Sequence, residues 1–309
     1  MAEKLSQELF GIFGWETVGP RNQNWMCVNH EAHKTKAGTH PSDLVFRYND
    51  PHTNYTIYLN SDVKSYAKTT INKTSLTIAL NSLADATNCA NASEEWASIY
   101  TREGELRRTY GLLFIYNHDG EYDKDFVAMQ EKVPVDRVPL GKNNRVYVFS
   151  PQLISYLTTV AQDIKVLYAG GTYAFHYPDM IYAHPRHHEL NVASVDYLLG
   201  PWQIVKGKKN DGSEQITCYY VGTGQEPDEF KFLVDYLFRF QLVESIPISV
   251  RLPHAGDDAQ RNFLKAKAEY ATDFYDLDEF QKRLALIRFY PVTSTVRRFS
   301  TENIGLEVR

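Results

Sequence analysis

Tyr110-Gly111-Leu112-Leu113-Phe114-Ile115-Tyr116 carries no charge over its whole length, yet it is far too short to span a bilayer. Near-continuous apolar sequence of this kind reads as a strand buried inside a sheet, in contrast to the alternation of a strand with one wet face. The preceding chain supplies elements to surround it. Leu5, Leu9 and Ile12 fall at i, i+4 and i+7, and Gly14 stops the pattern, which predicts an amphipathic helix over residues 3–13. Trp15–Val18 and Asn24–Val28 read as short strands, and the polar stretch from His30 to His40, with Gly38, as a loop. Asp43–Tyr48 and Tyr55–Leu59 flank the turn signal Asn49-Asp50-Pro51 and predict a hairpin whose second strand runs on to Asp62-Val63-Lys64. From Ser75 the periodicity is helical, and Ser93 is the expected N-cap of a further helix reaching Tyr100. This order describes a compact α/β core ending near residue 119.

Residues 119–145 are charged and punctuated by Pro134, Pro139 and Gly141, which places a domain boundary there and suggests a division into 1–125 and 126–309. Beyond it, Val146–Phe149 reads as a strand, Pro151–Leu167 as a helix, and residues 195–221 as a hairpin about Lys209-Asn210-Asp211-Gly212. A helix follows from Pro227, with Asp228 and Glu229 at its positive end. Ile246–Leu252 is a strand, 257–272 a helix, Asp276 or Asp278 caps another helix, and Leu286–Tyr290 is the last strand. The expected class is α/β (α+β): an N-terminal core with a mixed sheet flanked by helices, then a C-terminal α+β domain of unassigned fold.

A formal charge of −5 sets aside a global basic field of the sort that coats nucleic acid. Local clusters such as Arg107-Arg108, Lys206-Gly207-Lys208-Lys209 and Arg297-Arg298 remain able to grip phosphates or simply to face solvent. Cys27, Cys89 and Cys218 are too scattered for a disulfide framework and suit a reducing compartment. With no apolar leader after Met1 and no membrane-length run, a cytoplasmic location is expected. The tyrosine-rich second half, including Tyr173, Tyr177, Tyr197, Tyr219 and Tyr220, reads as core or interface.

Phosphodiester hydrolysis assisted by a divalent ion needs hard carboxylate ligands and a nearby cation to orient water or offset developing charge. An aspartate and a lysine at i and i+2 on a strand share one face. Asp62-Val63-Lys64 offers that pair, and Asp43 opens the neighbouring strand. The same spacing recurs at Asp163-Ile164-Lys165 and Glu229-Phe230-Lys231, but both sit in helical pattern, where i and i+2 diverge.

Pro41-Ser42-Asp43 before one strand and Asp62-Val63-Lys64-Ser65-Tyr66 at the end of the next resemble the PD-(D/E)xK, or restriction-endonuclease-like, superfamily over about residues 1–118. Ser42 separates Pro41 from Asp43, and the second acid is Asp where Glu is commoner. The resemblance implies that Asp43 and Asp62 bind Mg²⁺ or Mn²⁺ with the Val63 carbonyl, and that Lys64 positions the attacking water. It also implies a helix-one glutamate, for which Glu8 is the counterpart. The expected activity is that of a metal-dependent DNA endonuclease of a restriction or phage-defence system. RNA cleavage is not separated from it, and a non-catalytic scaffold on a degenerate nuclease fold is the alternative.

Other candidates are weaker. Cys27, His30 and His33, with His40 or Cys89, have zinc-like residue types but lack a second tight pair. His184, His187 and His188 read as solvated or as a phosphate contact, and His40 as a residue able to touch substrate phosphate. Gly222-Thr223-Gly224 precedes a helix and could present amides to an anion. No Gly-x-x-x-x-Gly-Lys-Ser/Thr loop and no Gly-x-Ser-x-Gly elbow occurs, so an ATP-driven step would need a partner ATPase or helicase. Expected partners are therefore DNA, such a protein, and a second copy of the chain, with no membrane.

Overall fold

The computed structural model describes residues 1–33, 37–177, 189–272 and 278–292. It has two compact units, one comprising Met1–Ser155 and the other, among the described residues, 156–292.

The first unit is built on a five-stranded sheet in the spatial order β1 (Glu16–Val18), β4 (Leu44–Asn49), β5 (Thr56–Tyr66), β6 (Arg107–Asn117), β7 (Val146–Phe149). The pairs β1–β4 and β4–β5 are antiparallel, whereas β5–β6 and β6–β7 are parallel. β2 (Gln23–Met26) and β3 (Thr39–Ser42) pair with each other as a separate antiparallel ribbon. The helices are α1 (Ala2–Ile12), α2 (His30–His33), α3 (Lys73–Ala92), α4 (Glu94–Tyr100) and the short α5 (Phe126–Gln130). Asn72 starts α3 with a reciprocal capping box through Ser75, and the Ser93 side chain accepts the Trp96 N–H at the head of α4, as its residue type predicts.

Both faces of the sheet are covered, which is what the uncharged run in β6 demands. On one face Phe10 of α1 meets Phe46, Phe114 and Phe149 edge-on and stacks on Trp15. On the other, Leu76, Leu80 and Leu83 of α3 pack against Leu113 and Ile115. Gly111 lets α3 come close, since a Cβ there would lie 2.6 Å from Thr87 Oγ1 and 2.9 Å from Val146 Cγ2.

Two expectations differ from the structure. The strand at Val146–Phe149 is β7 of the first sheet, so the first unit extends thirty residues past the expected boundary at 125, to Ser155. Its Phe149 completes the aromatic layer around Phe10, which the charged connection from 119 to 145 concealed. The expected loop between His30 and His40 contains α2, and His40 itself lies in β3. That strand escapes an apolar pattern because its inward residues, His40 and Ser42, are polar and buried, while Pro41 sits exposed on a two-stranded ribbon that tolerates it.

α6 (Pro151–Leu167) leads into the second unit. Its sheet has the order β13 (Ile287–Pro291), β12 (Ile248–Leu252), β11 (Glu214–Tyr220), β10 (Trp202–Lys208), β8 (Thr172–His176), β9 (Glu189–Leu190). β11–β12 and β12–β13 are parallel, and the remaining pairs are antiparallel. α7 (Val195–Leu198), α8 (Pro227–Arg239), α9 (Ala259–Thr272) and α10 (Asp278–Ala285) complete it. Phe230, Leu233 and Leu237 of α8 bury against Phe263 and Ala266 of α9 and Val250 of β12. Asp163 of α6 takes a two-pronged ion pair from Arg251, with Nε 2.6 Å from Oδ2 and Nη2 donating to Oδ1 at 2.7 Å, and a hydrogen bond from the Tyr219 hydroxyl. Among the described residues no helix is long and apolar enough to cross a membrane.

Candidate active site

β5 is fully buried from Thr56 to Ser61 and turns polar at its tip, where Asp62, Val63 and Lys64 are half-buried. Register fixes which way these side chains point. Asp62 pairs with Leu113 and Lys64 with Ile115, so both lie on the face covered by α3, while Val63 lies with Phe114 on the α1 face. Leu44 of β4 pairs with Ser61, which brings Asp43, the residue before β4, beside the Ser61–Val63 stretch. The Asp43 N–H donates to the Ser61 carbonyl at 3.2 Å, and its Oδ2 accepts the Val63 N–H at 2.8 Å. Asp43 thereby continues the ladder with a side chain after the strand pairing has ended. Just before it, Ser42 Oγ accepts the indole N–H of Trp25 at 2.9 Å and of Trp96 at 3.3 Å, and donates to Asn60 at 2.5 Å. This buried knot holds the chain that delivers Asp43.

Lys64 Nζ lies 2.6 Å from Asp62 Oδ1. Burial pushes the Asp62 carboxyl up to about 6; Lys64 pulls it back down, and the Asp43 carboxylate within hydrogen-bonding reach adds to the rise. Burial disfavours the Lys64 ammonium as well, but Asp62 more than offsets this and holds its pKa above the ordinary value. Tyr66, two residues on, has its hydroxyl pKa raised by burial and feels both Lys64 and Asp62. It is a site neighbour that motif reading passed over, though the same i+2 spacing from Lys64 points to it. Two oxygen-donor side chains crowded against one another, with one cationic group in contact with Asp62, fit a hard divalent ion.

Residues 1–153 match the family model described as GAPS4 protein PD-(D/E)XK nuclease domain. The N-terminal half of this chain belongs to the PD-(D/E)XK nucleases. No curated protein and no solved structure matches the chain. The match reaches past residue 118 and takes in β7, in keeping with the sheet the nuclease domain needs to cover Phe114.

Not every expected residue joins the nuclease centre. Glu8 is exposed and pairs with Lys4 at 3.7 Å, and no described contact links it to Asp43, Asp62 or Lys64. α1 buries Ala2, Ser6, Leu9 and Phe10, and it packs on the sheet face away from Asp62 and Lys64. His40 is 3% exposed and faces Cys27, His33 and Cys89, so it is not offered to a substrate phosphate. His30 stays outside that cluster, with its ring against Gly38. Asp163-Ile164-Lys165 and Glu229-Phe230-Lys231 lie in α6 and α8, as their periodicity predicts. Near Gly222-Thr223-Gly224 the anion is already present: Glu229 accepts the Gly224 and Glu226 N–H groups. His184, His187, His188, Arg297 and Arg298 lie outside the described residues. Arg107, Arg108 and Arg145 line a hollow with Asn91 and Asn144 at the opposite end of the sheet, where Arg107 pairs with the first residue of β5. At about 3.3 Å per residue, that is about 20 Å from Asp62.

Proposed function

We propose that this chain is a divalent-metal-dependent DNA endonuclease acting in a restriction or phage-defence setting. The observation that carries the reading is the convergence of Asp43, Asp62 and Lys64 from two adjoining strands onto one point of a PD-(D/E)XK domain. Asp43 and Asp62, with the Val63 carbonyl, would hold Mg²⁺ or Mn²⁺. Such an ion, when bound, polarises a phosphoryl oxygen and lowers the pKa of its water. Lys64 orients the attacking water and offsets charge growing on the phosphate, a task that its raised pKa suits because the ammonium stays protonated. Asp43, anchored through the Val63 N–H, keeps the two carboxylates in register across the strands. The defence setting rests on analogy with nuclease cores that carry a large additional domain. Substrate selection, self-association or docking of an ATPase or helicase is assigned to the second unit on the same ground.

Plasmid, linear duplex and single-stranded RNA incubated with Mg²⁺ or Mn²⁺ test this reading. Nicked or linearised plasmid is expected from the wild type, with a loss of at least about a hundredfold in Asp43→Ala, Asp62→Ala and Lys64→Ala. Cutting that survives unchanged in all three would remove the assignment. Cleavage of the RNA alone would keep the site and replace the substrate.

A further inference from the structure

Beside the nuclease centre lies a second cluster that the reaction does not use. Cys27 follows β2, His33 ends α2, His40 lies in β3 and Cys89 in α3. Cys27 Sγ is 3.7 Å from Cys89 Sγ and 3.5 Å from His33 Nδ1; His33 Nδ1 is 3.3 Å from Cys89 Sγ and 3.3 Å from His40 Nε2. All four ligand atoms lie within 4.8 Å of one another.

Hydrogen bonding does not account for this arrangement. A single imidazole nitrogen has either one hydrogen or one lone pair, so His33 Nδ1 cannot satisfy three close partners at once. A shared cation does. Tetrahedral zinc with Zn–S about 2.3 Å and Zn–N about 2.0–2.1 Å sets ligand separations of about 3.8 Å for S···S, 3.5 Å for S···N and 3.3 Å for N···N. The four separations given above, all but those from His40 to the two sulfurs, lie near those values. The surroundings match as well. His33 Nε2 points at Asp85 Oδ1, 3.6 Å away, the carboxylate partner that fixes the ring of a metal-bound histidine. The Asn29 N–H donates to Cys27 Sγ at 3.4 Å.

We infer that Cys27, His33, His40 and Cys89 form a closed structural zinc site. Two sulfur and two nitrogen donors select zinc over the hard ions suited to Asp43 and Asp62, and four protein ligands leave no open position for chemistry. Binding releases the two thiol protons to solvent and leaves the zinc neutralised by two thiolates. The ion ties the β2–β3 ribbon to α3, and His40 stands three residues before Asp43, so the zinc steadies the segment that brings in the first carboxylate.

Metal analysis of the purified full chain is the test. About one zinc per chain is expected in the wild type and in Asp62→Ala, falling below about a tenth in the double variant Cys27→Ser/Cys89→Ser. Cobalt exchanged into the wild type should give the visible bands of a tetrahedral site with a thiolate charge-transfer band. Should the double variant not fold, thiol titration of the native wild type decides. Cys27 and Cys89 should react with a thiol reagent only after a zinc chelator is added, while buried Cys218 stays unreactive. A wild type without zinc that takes up no tetrahedral cobalt would overturn the inference. So would zinc content unchanged by the double substitution, or thiol reactivity indifferent to chelation. Because Asp62→Ala is expected to keep its zinc, failure of the nuclease reading and failure of this one are distinguishable.

Discussion

Asp62 sits among groups that oppose one another over its charge: burial and Asp43 favour the protonated form, Lys64 the carboxylate. Its folded pKa of about 6 stands above the ordinary 3.8, so between those values the folded chain binds more protons than the unfolded one. Stability contributed by this residue is therefore present at low pH and lost as pH rises through about 6, by no more than about 3 kcal/mol. Without added divalent ion, the melting temperature of the wild type should fall from pH 5 to pH 7.5 more steeply than that of Asp62→Asn. Added Mg²⁺ or Mn²⁺ should stabilise the wild type more at pH 7.5 than at pH 5. Parallel slopes in the two proteins would show that Asp62 does not titrate in this window. Asp62 and Lys64 were legible in the sequence because strand alternation alone sets an i, i+2 pair on one face. Glu8 was not legible in the same way. Leu5, Leu9 and Ile12 suggest one buried stripe, but α1 turns Ser6 and Phe10 inward and leaves Glu8 in water.

At the level of elements, the close approach of α3 to β6 through Gly111 gives a second test. Gly111→Val would drive a side chain into Thr87, Leu83 and Val146. Overpacking of this kind costs about 1–3 kcal/mol, which urea unfolding should register as a lower midpoint with an unchanged slope. An unaltered midpoint would mean that α3 can shift without penalty. The strands and helices that were readable are those whose signal is local: the Ser93 cap, the uncharged run Tyr110–Tyr116 within β6, and Pro227 at the start of α8. β3 was not readable, because its buried residues face polar partners contributed by α2, β2 and β5. The zinc-like residues were visible one by one, with His40 and Cys89 as alternatives; the fold brings in both, Cys89 from a helix 62 residues after Cys27, and leaves His30 out.

For the molecule as a whole, composition and patterning supported two α/β units, but the division falls after β7, inside α6, and not in the charged segment before β7. A chain ended at residue 125 loses β7, and with it a parallel neighbour of β6 and the Phe149 ring against Phe10. Such a fragment should show no cooperative thermal transition by circular dichroism, whereas one ended at 155 should keep it; equal melting of the two would place β7 outside the essential sheet. The first unit also sets Asp43 and Asp62, with Lys64 beside Asp62, at one end of the sheet, and Arg107, Arg108 and Arg145 at the other, a strand's length away. On the function proposed above, a nucleic-acid backbone is attracted to the arginine end, and an ion held by Asp43 and Asp62 offsets the carboxylates that would repel it. That function then predicts an ordered assembly, ion before nucleic acid, and mixing the two in the reverse sequence should delay the first cut.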